Sequence, residues 1–278
     1  MDKEKVVKMQ LAQLHMMKIF HNICVNNDLR YYLVAGTALG ACRHSGFIPW
    51  DADMDIALPR EDYDRFLTNY THLLEPECQC LYHLNSDTYF KSHAIIVLNG
   101  ATLSLDTDIL NPKYKNPGIY IEIFPLDHGP KNRLMRKVHS FRLKFIKRFR
   151  SFKVGLIYPQ DSGVKRLLKR MISLLLAPIS LRTIGIHLDN VMKMYNNSKY
   201  RDPDVWTINC GAYSYEKESV CKNIYGIPTN VKFEDCEFYA PENLNEFLKH
   251  YYGDYMTPPS EEEQNRMYEF FSDLEFHI

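Results

Sequence analysis

Residues 36–56, GTALGACRHSGFIPWDADMDI, decide the reading of this chain. The stretch opens on Gly36-Thr37 and ends with Asp51, Asp53 and Asp55 alternating with Ala52, Met54 and Ile56. In an extended strand successive side chains point to opposite faces, so the three carboxylates share one face and the apolar residues the other. Acids so arranged repel one another at neutral pH unless water or a cation separates them. A divalent metal is the usual solution. Mg²⁺ takes hard oxygen ligands and leaves room for phosphate oxygens.

Upstream, residues 31–35 predict a short apolar strand ended by Gly36-Thr37. Thr37 then caps a helix through Arg43 that Ser45-Gly46 terminates. A helix N-terminus offers phosphate its free N–H groups and the positive end of its dipole, and glycine lets the backbone come close. Phosphate donors followed by a strand of acidic ligands suit phosphoryl or nucleotidyl transfer, in which positioning and charge neutralisation do most of the work. Such a site calls for a third strand carboxylate. Glu122, in the apolar run GIYIEIF of residues 118–124, is the candidate, because a buried charge needs a partner and a metal would supply one.

Working outward, residues 3–25 predict an amphipathic helix, and residues 51–58 the acidic strand, stopped by Pro59. Glu61-Asp62 open a helix running to about Leu74. Residues 93–98 and 101–105 flank Asn99-Gly100, a type I′ hairpin signal. Residues 119–124 form a strand closed by Pro125. From 131 to about 195 the pattern is helical, broken near 158–163 and 177–180. Residues 204–210 and 231–239 read as strands, the latter turning at Glu234-Asp235. Residues 243–252 and 260–271 are helices, the second opened by the Ser260/Glu263 capping box. The fold class is α+β: a catalytic core over 1–130, a basic helical insertion over 131–200 and a completing portion over 201–278.

Of the 278 residues, 34 are basic and 34 acidic, so global charge says nothing about partners. Its distribution does: residues 1–130 carry 11 Lys/Arg against 16 Asp/Glu, residues 131–170 carry 14 against 1, and residues 171–278 carry 9 against 17. Seven cysteines without C-x-x-C spacing argue against a structural zinc site and for reduced thiols. The N-terminus lacks a signal peptide's apolar core, and the apolar run over 171–181 is too short to span a bilayer. A cytoplasmic protein, peripheral at the inner membrane face, is expected. No G-x-S-x-G or Walker A motif supports a hydrolase or P-loop reading.

Residues 36–66, GTALGACRHSGFIPWDADMDIALPREDYDRF, resemble the signature of the LicD family, which includes the fukutin-related proteins. IEIFPLD at 121–127 resembles the family's second block, and FEDCEFYAP at 233–241 with YGDYMTPP at 252–259 its C-terminal block. The resemblance implies a nucleotidyltransferase-like mixed β-sheet core with flanking helices. It implies transfer of a phospho-substituent, typically phosphocholine from CDP-choline, to a hydroxyl of a cell-surface glycan or its lipid-linked precursor. Carried over, Gly36 and Thr37, with Gly40 following, match the phosphate turn. Asp53 and Asp55 match the metal pair for Mg²⁺ or Mn²⁺, with Asp51 the extra family aspartate. Glu122 falls where the family usually has Asp, which leaves ligand and base both open. Arg43 matches the family arginine, a diphosphate contact, and Asp127 reads as a loop or cap residue or as a support behind the site; Trp50 either walls the pocket or simply packs. Other expectations are another nucleotide-activated alcohol or sugar as donor, or a nucleotide- or glycan-binding homologue without turnover.

Lys91 and His93 fall near the expected site, but read more readily as ordinary surface or core residues. Trp50 and some of the 19 tyrosines could cage a choline cation, with no spacing to say which. Lys144, Lys147, Arg148 and Arg150 interleave with Phe141, Phe145, Phe149 and Phe152, a pattern suited to an anionic membrane, an anionic glycan or a solvated helix face. The acidic flanks argue against nucleic acid.

Overall fold

The structure, a computed structural model, describes residues 3–74, 76–104, 118–156, 161–272 and 275–277. In chain order its elements are α1 (Lys3–Asn26), β1 (Tyr32–Leu33), α2 (Ala35–His44), β2 (Asp55–Pro59), α3 (Arg60–Arg65), β3 (Cys78–Leu81), β4 (Ala94–Leu98), β5 (Thr102–Ser104) and β6 (Tyr120–Leu126). There follow α4 (Arg133–Val154), α5 (Gly163–Leu175), α6 (Leu181–Met192), β7 (Val205–Thr207), β8 (Ser219–Cys221) and α7 (Lys222–Tyr225). The chain ends with β9 (Thr229–Phe233), β10 (Cys236–Ala240), α8 (Leu244–Tyr252), α9 (Glu261–Ser272) and β11 (Glu275–His277). This is the expected α+β class.

Five strands form a mixed sheet in the order β1-β2-β6-β4-β3. β2 and β6 run parallel and the other pairs antiparallel. The central strand β6 is nearly continuous in apolar residues, as a strand covered on both faces must be, with Ile121 and Ile123 fully buried. Its register with β2 sets Asp55 opposite Glu122, and this places the site.

Local patterning and tertiary pairing part company in several places. The acidic strand joins the ladder only at Asp55. Before it, the carbonyls of Asp51 and Ala52 are held by helix α1, Gln10 Nε2 donating to Asp51 O (2.6 Å) and Gln13 Nε2 to Ala52 O (2.6 Å), and Met54 O accepts from Glu122 N of β6 (2.8 Å). Thr37 is not the cap of α2. The helix begins at Ala35, and the cap position, Val34, makes no side-chain bond. The type I′ hairpin does not form either. Only Gly100 has positive φ (83°), Ala101 N donates to Leu98 O, and β5 pairs with β11 instead of β4. A type I′ turn needs positive φ at both central residues, so this geometry is that of type II. Pro125 does not close β6 but pairs with Leu58 inside it. The helix after Pro59 is α-helical only through Arg65, continuing as a π turn over Phe66–Tyr70 and a 3₁₀ turn over Thr71–Leu74. The short strands β3 and β8 carry no alternation long enough to announce them. The breaks on either side of α5 fall where expected, although residues 157–160 lie outside the described ones. The Glu234-Asp235 turn and the capping box also form, Ser260 N donating to Glu263 Oε2 at 2.9 Å.

Helices α4 and α6 contribute Leu143, Ile146, Leu181, Ile184 and Leu188 to the same hydrophobic core as Ile121 and Ile123 of the sheet. Half of the basic residues expected on the surface of α4 turn inward. Lys147 Nζ donates to Gly211 O (3.2 Å) and Arg150 Nη2 to Ser92 Oγ (2.7 Å). Burial lowers the Lys147 ammonium's pKa and brings the Arg150 guanidinium down to about 10.

Candidate active site

A cavity of about 630 Å³ opens where β2 and β6 meet the start of α2. Asp51, Asp53, Asp55 and Glu122 line one side of it, with Val34, Ala35 and Gly36 beside them and Arg43 and Trp50 farther along. Its volume lies within the usual range for small-molecule sites.

Geometry and charge make the three aspartates an unusual group. Among the described residues, the carboxylates of Asp53 and Asp55 accept no hydrogen bond and join no ion pair, while Asp51 Oδ1 caps the Asp53 N–H at 3.3 Å. Burial raises Asp51. It pushes Asp53 up to about 7, with repulsion from Asp51 and Glu122 adding to it, although Asp53 opens onto the cavity. Asp55 is driven well above the carboxylate range by burial and then by Glu122, Asp53 and Asp51. These acids are assembled at an electrostatic cost that the charge of Lys91 offsets only in part at Asp53 and Asp55. Among the described residues no three His, Cys, Asp or Glu side chains converge into a ready-made metal cage. Two free carboxylates with open space before them are nevertheless what Mg²⁺ uses when substrate phosphates and water complete its shell.

Glu122 differs from its neighbours. Lys91 Nζ pairs with Glu122 Oε1 and donates to Tyr120 Oη at 2.8 Å, while His93 Nε2 donates to the same carboxylate at 3.0 Å. Burial alone would raise Glu122, but His93 and Lys91 outweigh it and hold the carboxyl well below the usual range. So low a proton affinity makes a poor general base. Lys91 and His93, expected to be ordinary surface or core residues, are therefore part of this site. Since a carboxylate can only accept, His93 Nε2 carries the proton, and its buried Nδ1 has no partner among the described residues.

The start of α2 forms the wall facing the acids. Ala35 has φ 47°, a left-handed conformation that costs a residue with a Cβ about 1–2 kcal/mol. This turn leads directly into a helix N-terminus without a side-chain cap. Gly36 is required by closeness: a Cβ there would lie 2.9 Å from Asp51 Oδ2. Thr37 does not line the cavity. Its hydroxyl accepts from Asp55 N (2.8 Å), pinning α2 to the acidic strand. Gly40 also lies off the cavity lining, where a Cβ would meet Gly46 O at 2.5 Å, so it allows the helix to pack on the following turn. Eight residues separate Ala35 from Arg43, about 12 Å of helix. The Arg43 guanidinium faces the cavity, donates to Tyr255 O (3.0 Å) and forms no ion pair among the described residues. Trp50 lines the cavity with its ring edge-on to His44.

The opposite wall comes mostly from residues that the sequence did not single out, Tyr252 of the C-terminal block being the exception. Residues 208–218, between β7 and β8, bring Ile208, Gly211, Tyr213 and Glu218 to the cavity, and α8 adds Tyr251 and Tyr252. Glu218 is 5 % exposed and accepts from Tyr213 N (2.9 Å) and Tyr251 Oη (3.2 Å), burial raising its pKa. Tyr213 already carries a cation, Lys217 Nζ lying 3.8 Å from its ring centroid. No local signal marks the positions of the 208–218 loop, because it reaches the acids only through the fold.

Asp127 lies elsewhere and is neither a loop nor a cap residue. It is 1 % exposed and takes both Arg60 Nε (2.8 Å) and Nη2 (2.7 Å), while Arg60 Nη1 donates to Asp189 at 2.8 Å. This clamp ties the start of α3 to the end of β6 and to α6.

The family model described as LicD/FKTN/FKRP, nucleotidyltransferase domain, matches residues 28–159, the segment that supplies the acids, the start of α2, Lys91 and His93. The lipopolysaccharide cholinephosphotransferase LicD of Haemophilus influenzae is 27% identical over 273 residues, 95% of this chain and 96% of that protein. Two uncharacterised proteins match only in part. That of Rickettsia typhi is 41% identical over 59 residues, 21% of this chain and 19% of its own. That of Rickettsia prowazekii is 42% identical over 55 residues, 20% and 21% of the two chains. A family model over the acidic site and a relative matched along nearly its full length agree: residues 28–159 match the LicD family's domain, and the chain as a whole is similar to a LicD protein.

Proposed function

We propose that this protein is a transferase that moves phosphocholine from CDP-choline to a hydroxyl of a surface glycan such as lipopolysaccharide, on a nucleotidyltransferase-like core. The observation that carries the reading is the pair Asp53 and Asp55, partnerless among the described residues and facing an uncapped helix N-terminus across the cavity. The similarity to a lipopolysaccharide cholinephosphotransferase supports the donor group and the acceptor class.

The residues fit a magnesium ion: hard oxygen donors, mutual repulsion needing a cation, and no thiol in the cavity lining. Asp53 and Asp55 would hold it, with Asp51 steadying the approach through the Asp53 N–H. When bound, the metal neutralises charge on the donor diphosphate and lowers the pKa of an acceptor hydroxyl. The free N–H groups at the start of α2 receive phosphate oxygens, and Arg43 meets the remaining diphosphate charge. Tyr251, Tyr252 and Trp50 line the cavity as aromatic partners for the trimethylammonium group, Tyr213 being already covered by Lys217, and Glu218 adds a carboxylate nearby. Glu122, held anionic by Lys91 and His93, serves better as fixed charge beside the metal than as the base.

Incubation with Mg²⁺ and a panel of CDP-alcohols, with and without glycan acceptors, tests the reading. CMP release is expected with CDP-choline, dependent on acceptor and abolished by chelation. Release with a different CDP-alcohol alone would change the donor, and tight binding of CDP-choline without CMP release would make the protein a binding homologue.

A further inference from the structure

Helix α5 faces the wrong way for a soluble protein. Val164, Leu167, Leu168, Met171, Leu174 and Leu175 recur at helical spacing and form one stripe. All six are exposed, Val164 at 79%, Leu174 at 74% and Leu175 at 77%, and α5 buries no residue at all. Its polar side is the one bonded to the molecule. Ser173 Oγ donates to Lys153 O (2.9 Å), and Lys169 Nζ donates to Leu156 O (2.9 Å) and pairs with Asp161. From α4, Lys153 Nζ donates to Leu176 O (2.8 Å) and Ala177 O (2.9 Å) just past the end of α5. Helix α4 adds a second outward stripe, Leu134, Val138, Phe141 and Phe145, all exposed. Exposed apolar stripes of this kind mark an interaction site.

We propose that α5, together with the outward stripe of α4, is a membrane-surface element that rests on an anionic lipid bilayer. The charges choose the occupant. With about 3.6 residues per turn, Lys165 and Arg170 fall at the two edges of the α5 stripe, where their stems lie along apolar surface and their heads reach lipid phosphates. The helix contains no Asp or Glu, and residues 131–170 carry 14 basic residues against 1 acidic. An apolar stripe edged by cations complements an anionic membrane interface. A second copy of the chain complements it poorly, because stripe-to-stripe packing would set the same cations against one another. At 13 residues α5 is too short to cross a bilayer, and no described helix is long and apolar enough to do so. Helix α4 connects this surface to the cavity, since its Lys147 holds the carbonyl of the cavity residue Gly211. On the functional reading above, the contact brings lipid-linked acceptors to the cavity; the contact itself does not depend on that reading.

The test uses the full chain with no donor or acceptor present, so it stands or falls apart from the transfer activity. Vesicles of phosphatidylcholine with about a quarter phosphatidylglycerol are sedimented with the protein at low and high salt, beside pure phosphatidylcholine vesicles. Binding to the anionic vesicles, weakened by salt, is expected. The double variant L168E/L174E, altered only at exposed positions, should lose about tenfold or more of that binding while keeping its circular dichroism and melting temperature. K165E/R170E should lose the anionic preference while the apolar stripe stays intact. Failure of the wild type to sediment with anionic vesicles overturns the proposal. So does light scattering that shows a dimer abolished by L168E/L174E, which would make a second copy the occupant.

Discussion

Two groups of aspartates in this protein are built on opposite principles. Asp127 and Asp189 are buried and fully engaged, sharing Arg60 between them and receiving Asn196 and Lys193 besides. The carboxylates of Asp53 and Asp55 lie beside a cavity and make no hydrogen bond or ion pair among the described residues. The first arrangement is architecture: each charge has its countercharge, and three elements are joined. The second is held under repulsion, a cost that persists only where something else is to be bound. The difference separates acids that stabilise the fold from acids that, in the proposed function, bind a cation.

The largest expected effect breaks the site and leaves the architecture alone. Asp53→Asn should lower CMP release by about 10³-fold or more, since it removes a metal ligand, yet the melting temperature should hold or rise as repulsion is relieved. A variant with retained turnover would remove Asp53 from the proposed metal site. Next in size is the converse. Arg60→Ala strands two buried carboxylates and should cost about 3–5 kcal/mol in denaturant unfolding, without removing any group from the cavity.

The pH dependence separates the groups by sign. Asp53, held up at about 7, binds its proton more readily folded than unfolded, so the stability it contributes is lost as pH rises from the ordinary 3.8 through about 7. Asp189 runs the other way. Burial acts to raise its pKa, but Arg60 and Lys193 lower it overall, so its contribution is present above 3.8 and lost as pH falls below that value. Calorimetry on metal-free protein should therefore show melting temperature declining on both sides of an acidic optimum. Mg²⁺ competes with the proton at Asp53, so the rise it produces, about 2–4 °C per kcal/mol of binding, should be larger at pH 8 than at pH 6. An equal rise at both values would count against Asp53 as a ligand. The smallest effect is expected from Gly36→Ala, whose Cβ meets Asp51 Oδ2 at 2.9 Å. KM for the donor should increase several-fold while stability changes by less than about 1 kcal/mol.

How much was legible follows from how local each signal is. The alternation of Asp51, Asp53 and Asp55 survives in the structure because it needs only an extended backbone. That Asp51 and Ala52 are held by Gln10 and Gln13 instead of a neighbouring strand was invisible, since those bonds cross some 40 positions of sequence. Glu122 stood out as an acid in an apolar strand. Its partners did not, because Lys91 and His93 reach it only when β4 pairs with β6 and sets Ile95 opposite Glu122. The basic block was legible as composition but not as orientation: Lys147 and Arg150 turned inward, and the outward apolar surface falls chiefly on α5.

By itself the sequence determined the α+β class, the acidic face and the family resemblance, because these rest on period-2 alternation, capping chemistry and ordered motifs within short windows. Only the tertiary structure decided which acids are paired and which are free. Ion pairing depends on which elements the sheet order and helix packing bring within a few ångströms, and no local pattern carries that information.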